Sequence, residues 1–199
     1  REIVQQALPP LDRGAATTRS AAWGENTFKG KLQHWDTFEA DVRARYDAIH
    51  WTNHVISHTS GQPPRLTSTE TEQVAAGDEI GVQARLMANI GHPMGAVCRA
   101  GAINLKFGAY MATVDRLTGS RKPDIAIMTR AGLGRAFGEI KTPWVLEHKL
   151  SIRVIRAHAA RYMKTAGLCY GFVSTYDETI FLKQEVLNGE WTLLYSNAI

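Results

Sequence analysis

The sequence predicts an α/β domain with a mixed central sheet flanked by helices. Three observations carry that expectation. Apolar residues recur at intervals of three and four in some stretches and alternate, or cluster in short β-rich runs, in others. The order along the chain is helices first, then strand–strand–strand–helix–strand–strand–strand. The composition is ordinary for a folded chain: 199 residues, 44% hydrophobic and 21% charged. These figures exclude disorder, a collagen repeat, a coiled coil and a disulfide scaffold, and the length is enough to close a core.

The first 30 residues, with Pro9-Pro10, Gly14, Gly24 and Gly30, read as loop with at most a short helix. From Lys31 to about His50, Leu32, Trp35, Phe38, Val42, Tyr46 and Ile49 fall at helical spacing. Ser60-Gly61-Gln62-Pro63-Pro64 breaks the chain. A second helix is expected after Ser68 or Thr69 as cap. It carries Val74, Ile80, Ala84, Met87 and Ile90 toward Gly91, where Pro93 bars continuation.

Past Arg99 the period changes. Ile103, Leu105, Phe107 and Ala109 alternate as in a strand, which Tyr110–Val114 could extend. Pro123–Met128 and Arg135–Lys141 read as the next two strands. Thr142-Pro143 supplies a cap and a first-turn proline for a helix running to Ala166, and Gly167 stands at its C-terminal cap. Three strands follow: 168–175, 179–184 and 191–195. Asn188-Gly189 makes the last hairpin turn.

The stretch that carries chemistry is Pro123-Asp124 with Glu139-Ile140-Lys141. A two-residue turn at Gly132-Leu133 pairs Asp124 with Lys141 and Ala126 with Glu139. Asp124, Glu139 and Lys141 then project from one face, with the two acids as diagonal neighbours roughly 7–8 Å apart. Ile125 and Ile127 point to the other face, into the core, so the acidic face is expected to be wet or functional. Two converging carboxylates can hold one hard divalent ion, Mg²⁺ or Mn²⁺, that activates water and offsets charge on a phosphate. Lys141 adds a point cation. That set suits phosphodiester hydrolysis. No Gly-rich phosphate loop, serine elbow or Cys–His pair at informative spacing competes with it.

These residues resemble the PD-(D/E)xK nuclease-like superfamily. The segments GEIKTPW and ARYMKTAGLCYGFVSTYDETIFLK look like its fungal members, among them Crinkler-like and spore-killer-like proteins, and the likeness covers about residues 70–184. It implies a restriction-endonuclease-like αβββαβ core over residues 67–199, with residues 1–66 as an N-terminal helical elaboration packed on it. It further implies a metal-dependent nuclease that cuts DNA before RNA, using Mg²⁺ or Mn²⁺. Asp124 and Glu139 would be the metal ligands, with the Ile140 backbone carbonyl as a third, and Lys141 the catalytic lysine. The family's acid on the preceding helix, which would help to hold the metal, falls on Glu79, placed mid-helix between Gly77 and Gly81, with Glu72 as second choice. Relatives often carry glutamine where this chain has His158. His158, Arg156 and Arg161 are the expected substrate contacts. The alternative from the same resemblance is an inactive nuclease-fold binding or effector module.

The net charge of +4 permits a polyanionic partner. No apolar run approaches the ~20 residues of a membrane helix, so no membrane partner is expected. Two cysteines, Cys98 and Cys169, sit at no metal spacing and point to a reducing, intracellular compartment, with the nucleus or delivery into a host cell compatible with the resemblance. The chain opens on Arg1 and reads as a fragment of something longer.

Overall fold

The structure, a computed structural model, describes residues 2–5, 7–18, 30–52, 74–114, 122–145 and 152–199. They build an α/β fold on a seven-stranded mixed sheet. The strands are β1 (Lys31–His34), β2 (Lys106–Gly108), β3 (Ile125–Met128), β4 (Gly134–Ile140), β5 (Tyr170–Ser174), β6 (Thr179–Leu187) and β7 (Glu190–Tyr195). Their order across the sheet is β1-β7-β6-β5-β4-β3-β2. Two neighbouring pairs are parallel, β1 with β7 and β4 with β5; the others are antiparallel. The helices are α1 (Phe38–Asp47), α2 (Glu79–Leu86), α3 (His92–Ala100) and α4 (Ile152–Ala166).

Helix α4 lies in the crossover from β4 to parallel β5, the connection that a parallel pair requires. Its Ala159, Ala160 and Met163 pack on Val173, Leu182 and Leu193. Its Tyr162 packs on Ala126, Met128 and Phe137. The other face of the sheet is covered by α2, whose Val82 and Leu86 meet Ile125, Ile140, Phe172 and Tyr176. Farther along that face Phe38 of α1 stacks on Phe181, ring centroids 5.3 Å apart. Both faces are therefore core. The face bearing Asp124 and Glu139, expected to be wet, lies under α4, so those acids sit at a buried corner.

Several expected elements change. Residues 31–34 form a strand, not the start of a helix: β7 offers an open edge, Lys31–His34 alternate between exposed and half-buried, and Leu32 packs on the α4 cluster. Helix α1 begins only at Phe38. The cap expected at Ser68 or Thr69 lies outside the described residues. In the described part, Ala76 bridges to Arg13 in extended backbone, and α2 begins at Glu79, capped by Asp78, whose carboxylate accepts from the Gly81 N–H at 2.7 Å. Pro93 does not end the helix. A π turn over Met87–Gly91, closed by the His92 N–H on the Met87 carbonyl, leads into α3, and Pro93 falls in that helix's first turn where its missing N–H costs little. The strand expected over 103–114 contracts to Lys106–Gly108, with a 3₁₀ turn at Tyr110–Ala112. Thr142 and Pro143 are buried turn residues; they do not start a helix, and the described part of α4 starts at Ile152. Gly167 does close α4, at φ +65°, and Asn188-Gly189 make the β6–β7 turn, at φ +53° and +80°.

The β3–β4 hairpin is the correction that matters for function. Its loop is residues 130–132, not Gly132-Leu133. The Gly132 N–H donates to the Thr129 carbonyl, the Thr129 N–H to the Leu133 carbonyl, and Gly132 takes φ +88°. Met128 pairs with Gly134, but Ile127 pairs with Ala136, so Arg135 is an extra residue, a β-bulge. Beyond the bulge Ile125 faces Gly138. One step on, Asp124 stands directly opposite Glu139 and not diagonal to it. Were Arg135 paired in the ladder instead of bulged, the register would set Asp124 against Gly138 and turn Glu139 to the other face. Loop length and bulge together shift the expected register by two residues, which leaves the faces as predicted.

Candidate functional site

The site lies at the C-terminal end of β4, where the chain leaves for α4, the end at which open α/β sheets form their clefts. Asp124 is fastened at three points. Its N–H donates to the Gly138 carbonyl at 3.1 Å, its carbonyl accepts from Gln83 Nε2 at 2.6 Å, and its Oδ2 accepts from the Ile140 N–H at 2.7 Å. Gln83 was not legible as a site residue. The available signal was its place one helical turn after Glu79, on the same face of α2.

Glu139 is buried, 5% exposed. Its Oε1 lies 3.0 Å from Lys141 Nζ and 3.3 Å from His158 Nδ1. Among the described residues its Oε2 is buried with no hydrogen-bond partner. A carboxylate oxygen in that position is costly unless something occupies its lone pairs. Lys141 Nζ also donates to the Ile140 carbonyl at 2.8 Å and pairs with Glu79 Oε2 at 3.0 Å. Glu79 is the first residue of α2 and not mid-helix, yet its side chain reaches the site.

The charges are strongly coupled. Burial pushes the Asp124 carboxyl up, Glu139 adds to it, and its pKa reaches about 7 despite the Ile140 N–H and Lys141. Burial also pushes Glu139 up, but the His158 hydrogen bond and the Lys141 charge outweigh it, so Glu139 is held below the usual carboxylate range. Lys141 is penalised by burial and held above its usual range by Glu139 and Glu79. Neighbouring acids with environments that push them apart are common where acid–base work is done.

The expected residues Asp124, Glu139, Lys141 and Glu79 are thus brought together. His158 is buried behind Glu139 and contacts that acid. Arg161 is exposed on α4, and the Arg156 side chain falls outside the described residues, as does Glu72. Among the described residues, no three His, Cys, Asp or Glu side chains converge as a metal cluster. Two hard carboxylates, one with an unpartnered buried oxygen, still match the way Mg²⁺ is held, by one or two carboxylates with waters completing its shell.

No protein-family profile, curated protein or solved structure matches the chain. Among the described residues no helix is long and apolar enough to cross a membrane. Both cysteines are free, Cys98 buried and Cys169 exposed.

Proposed function

We propose that this chain is a metal-dependent nuclease of the PD-(D/E)xK type with a restriction-endonuclease-like core, hydrolysing phosphodiester bonds in DNA before RNA. The observation that carries the reading is the buried Oε2 of Glu139, without a hydrogen-bond partner among the described residues, on the strand facing Asp124 and beside the Lys141 ammonium. Asp124 and Glu139 would hold Mg²⁺ or Mn²⁺, with the Ile140 carbonyl next in reach of the same corner. Such an ion, when bound, lowers the pKa of water and stabilises charge on the phosphate.

The chain's own residues do the rest. The Ile140 N–H aims the Asp124 carboxylate, and His158 aims that of Glu139. Lys141 sets a positive charge beside both acids, where it steadies an incoming nucleophile or the phosphoryl oxygens. Burial under α4 keeps bulk water from screening these charges. Exposed Arg161 supplies positive charge on α4, in keeping with a polyanionic substrate.

The test is cleavage of single-stranded DNA, double-stranded DNA and RNA with and without Mg²⁺. Asp124→Ala and Lys141→Ala are expected to abolish Mg²⁺-dependent cleavage while retaining the parent's circular dichroism. Cleavage by both variants at the parent's rate refutes the assignment. The second reading, an inactive nuclease-fold binding or effector module, is favoured by the absence of a three-residue acidic cluster among the described residues. It predicts nucleic-acid or protein binding with no turnover under any metal.

A further inference from the structure

We infer that Glu79 serves this site as the anchor of Lys141 and not as a ligand of the cation, an inference that rests on the metal-dependent reading above. An ammonium has three N–H donors and no acceptor. Lys141 meets three oxygens: Glu139 Oε1 at 3.0 Å, Glu79 Oε2 at 3.0 Å and the Ile140 carbonyl at 2.8 Å. Two of these, Glu139 and the Ile140 carbonyl, belong to groups that a divalent cation would draw on. Glu79 alone stands outside that set.

The surroundings of the three side chains separate them further. Glu139 and Lys141 have side chains 7% and 13% exposed, whereas that of Glu79 is 43% exposed. Glu79 projects from the start of α2, fixed there by the Asp78 cap, while Asp124 and Glu139 face each other across the β3–β4 ladder. The carboxyl of Glu79 does not complete a three-acid cluster with the other two. A cation on Glu139 Oε2 and the Ile140 carbonyl competes with the ammonium for that carbonyl, draws charge from Glu139 and repels Lys141. Glu79 is the remaining acceptor that keeps Lys141 at the site. In the metal-free protein Lys141 is accordingly the counter-ion that a metal must displace.

The experiment is a double-mutant cycle on the full chain, with Mn²⁺ binding read by titration calorimetry in the absence of nucleic acid. Lys141→Met is expected to tighten Mn²⁺ binding about tenfold, because it removes the competing charge. Glu79→Gln alone is expected to weaken binding at least fivefold, because the released ammonium falls back on Glu139. In the Lys141→Met background, Glu79→Gln is expected to change the Kd less than threefold. A loss greater than threefold in that background makes Glu79 a ligand and overturns the inference. If none of the four proteins binds Mn²⁺ up to millimolar concentration, the metal-dependent reading itself fails, and the inference with it. Should Lys141→Met not fold, ¹⁵N-detected lysine side-chain spectra in saturating Mg²⁺ decide. One slowly exchanging ammonium signal is expected in the parent and its loss in Glu79→Gln; persistence in the variant overturns the inference.

Discussion

The Asp124 carboxylate accepts a hydrogen bond from the backbone N–H of Ile140 at 2.7 Å, which ties the acid entering β3 to the residue between Glu139 and Lys141. This one bond couples the direction of the Asp124 side chain to the strand that carries the other two charges. It also opposes, without cancelling, the burial and the Glu139 repulsion that raise the Asp124 carboxyl.

That raised pKa makes the metal-free protein sensitive to pH. A carboxyl near 3.8 in the unfolded chain and at about 7 in the fold favours folding most at low pH. This stability is fully present below the unfolded value and is lost as pH rises through about 7. A displacement of that size corresponds to at most about 4 kcal/mol. In chelator, Asp124→Asn should melt above the parent at pH 8 and converge with it near pH 4. Parallel melting curves across that range would show that Asp124 carries no such burden.

His158 should contribute to stability through Glu139. Replacing it with Leu leaves Lys141 as the side-chain partner of a buried carboxylate, at a cost of about 2–3 kcal/mol for a hydrogen bond to a charged group. Gln, which keeps a donor, is expected to recover at least half. Denaturant midpoints of the two variants in chelator measure the difference.

Gly138 is a packing requirement. A Cβ there would sit 2.1 Å from Cζ of Phe172, whose ring is buried in the cluster with Ile140 and Tyr176. Gly138→Ala should destabilise by about 1–3 kcal/mol, the usual range for overpacking a core. Adding Phe172→Leu should return part of that loss; a thermal melt of the single and double variants checks both statements.

Gln184 finishes helix α4 from a distance. Its Nε2 donates to the carbonyls of Met163 and Leu168, at 3.1 and 2.7 Å, and its Oε1 accepts from Trp191 Nε1 at 2.8 Å. Gln184→Ala removes the side-chain donor to the Leu168 carbonyl, one of two donors to the Met163 carbonyl and the acceptor of the Trp191 indole N–H, for about 1–3 kcal/mol. Hydrogen exchange should quicken first at the Leu168 amide, which closes the helix on Met163.

The strands around the site were legible because their signals are local. Ile125–Met128 and the Gly134–Ile140 run carry β-rich apolar residues, and Gly132 marks the turn between them. The common face of Asp124, Glu139 and Lys141 was legible too, although the expected loop was one residue short and misplaced, and the bulge at Arg135 compensated. Elements decided by distant partners were not legible. Lys31–His34 is a strand because β7 lies open beside it. Pro93 is helical because a π turn absorbs it. Glu79 was found as a site acid on helical position, yet its partner is Lys141, 62 residues away. In sequence His158 reads as a substrate contact, and only the packing of α4 against β4 shows it turned toward Glu139.

Arg135 has one more consequence. The meeting of the two acids is stored as a count of residues rather than as any residue's identity. Drawing that single position into the ladder, with every side chain retained, would send Asp124 and Glu139 to opposite walls of the sheet. For this chain a one-residue slip in pairing is more damaging than a substitution, and a relative could exchange nearly every amino acid of the hairpin and inherit its chemistry, provided it kept the pairing.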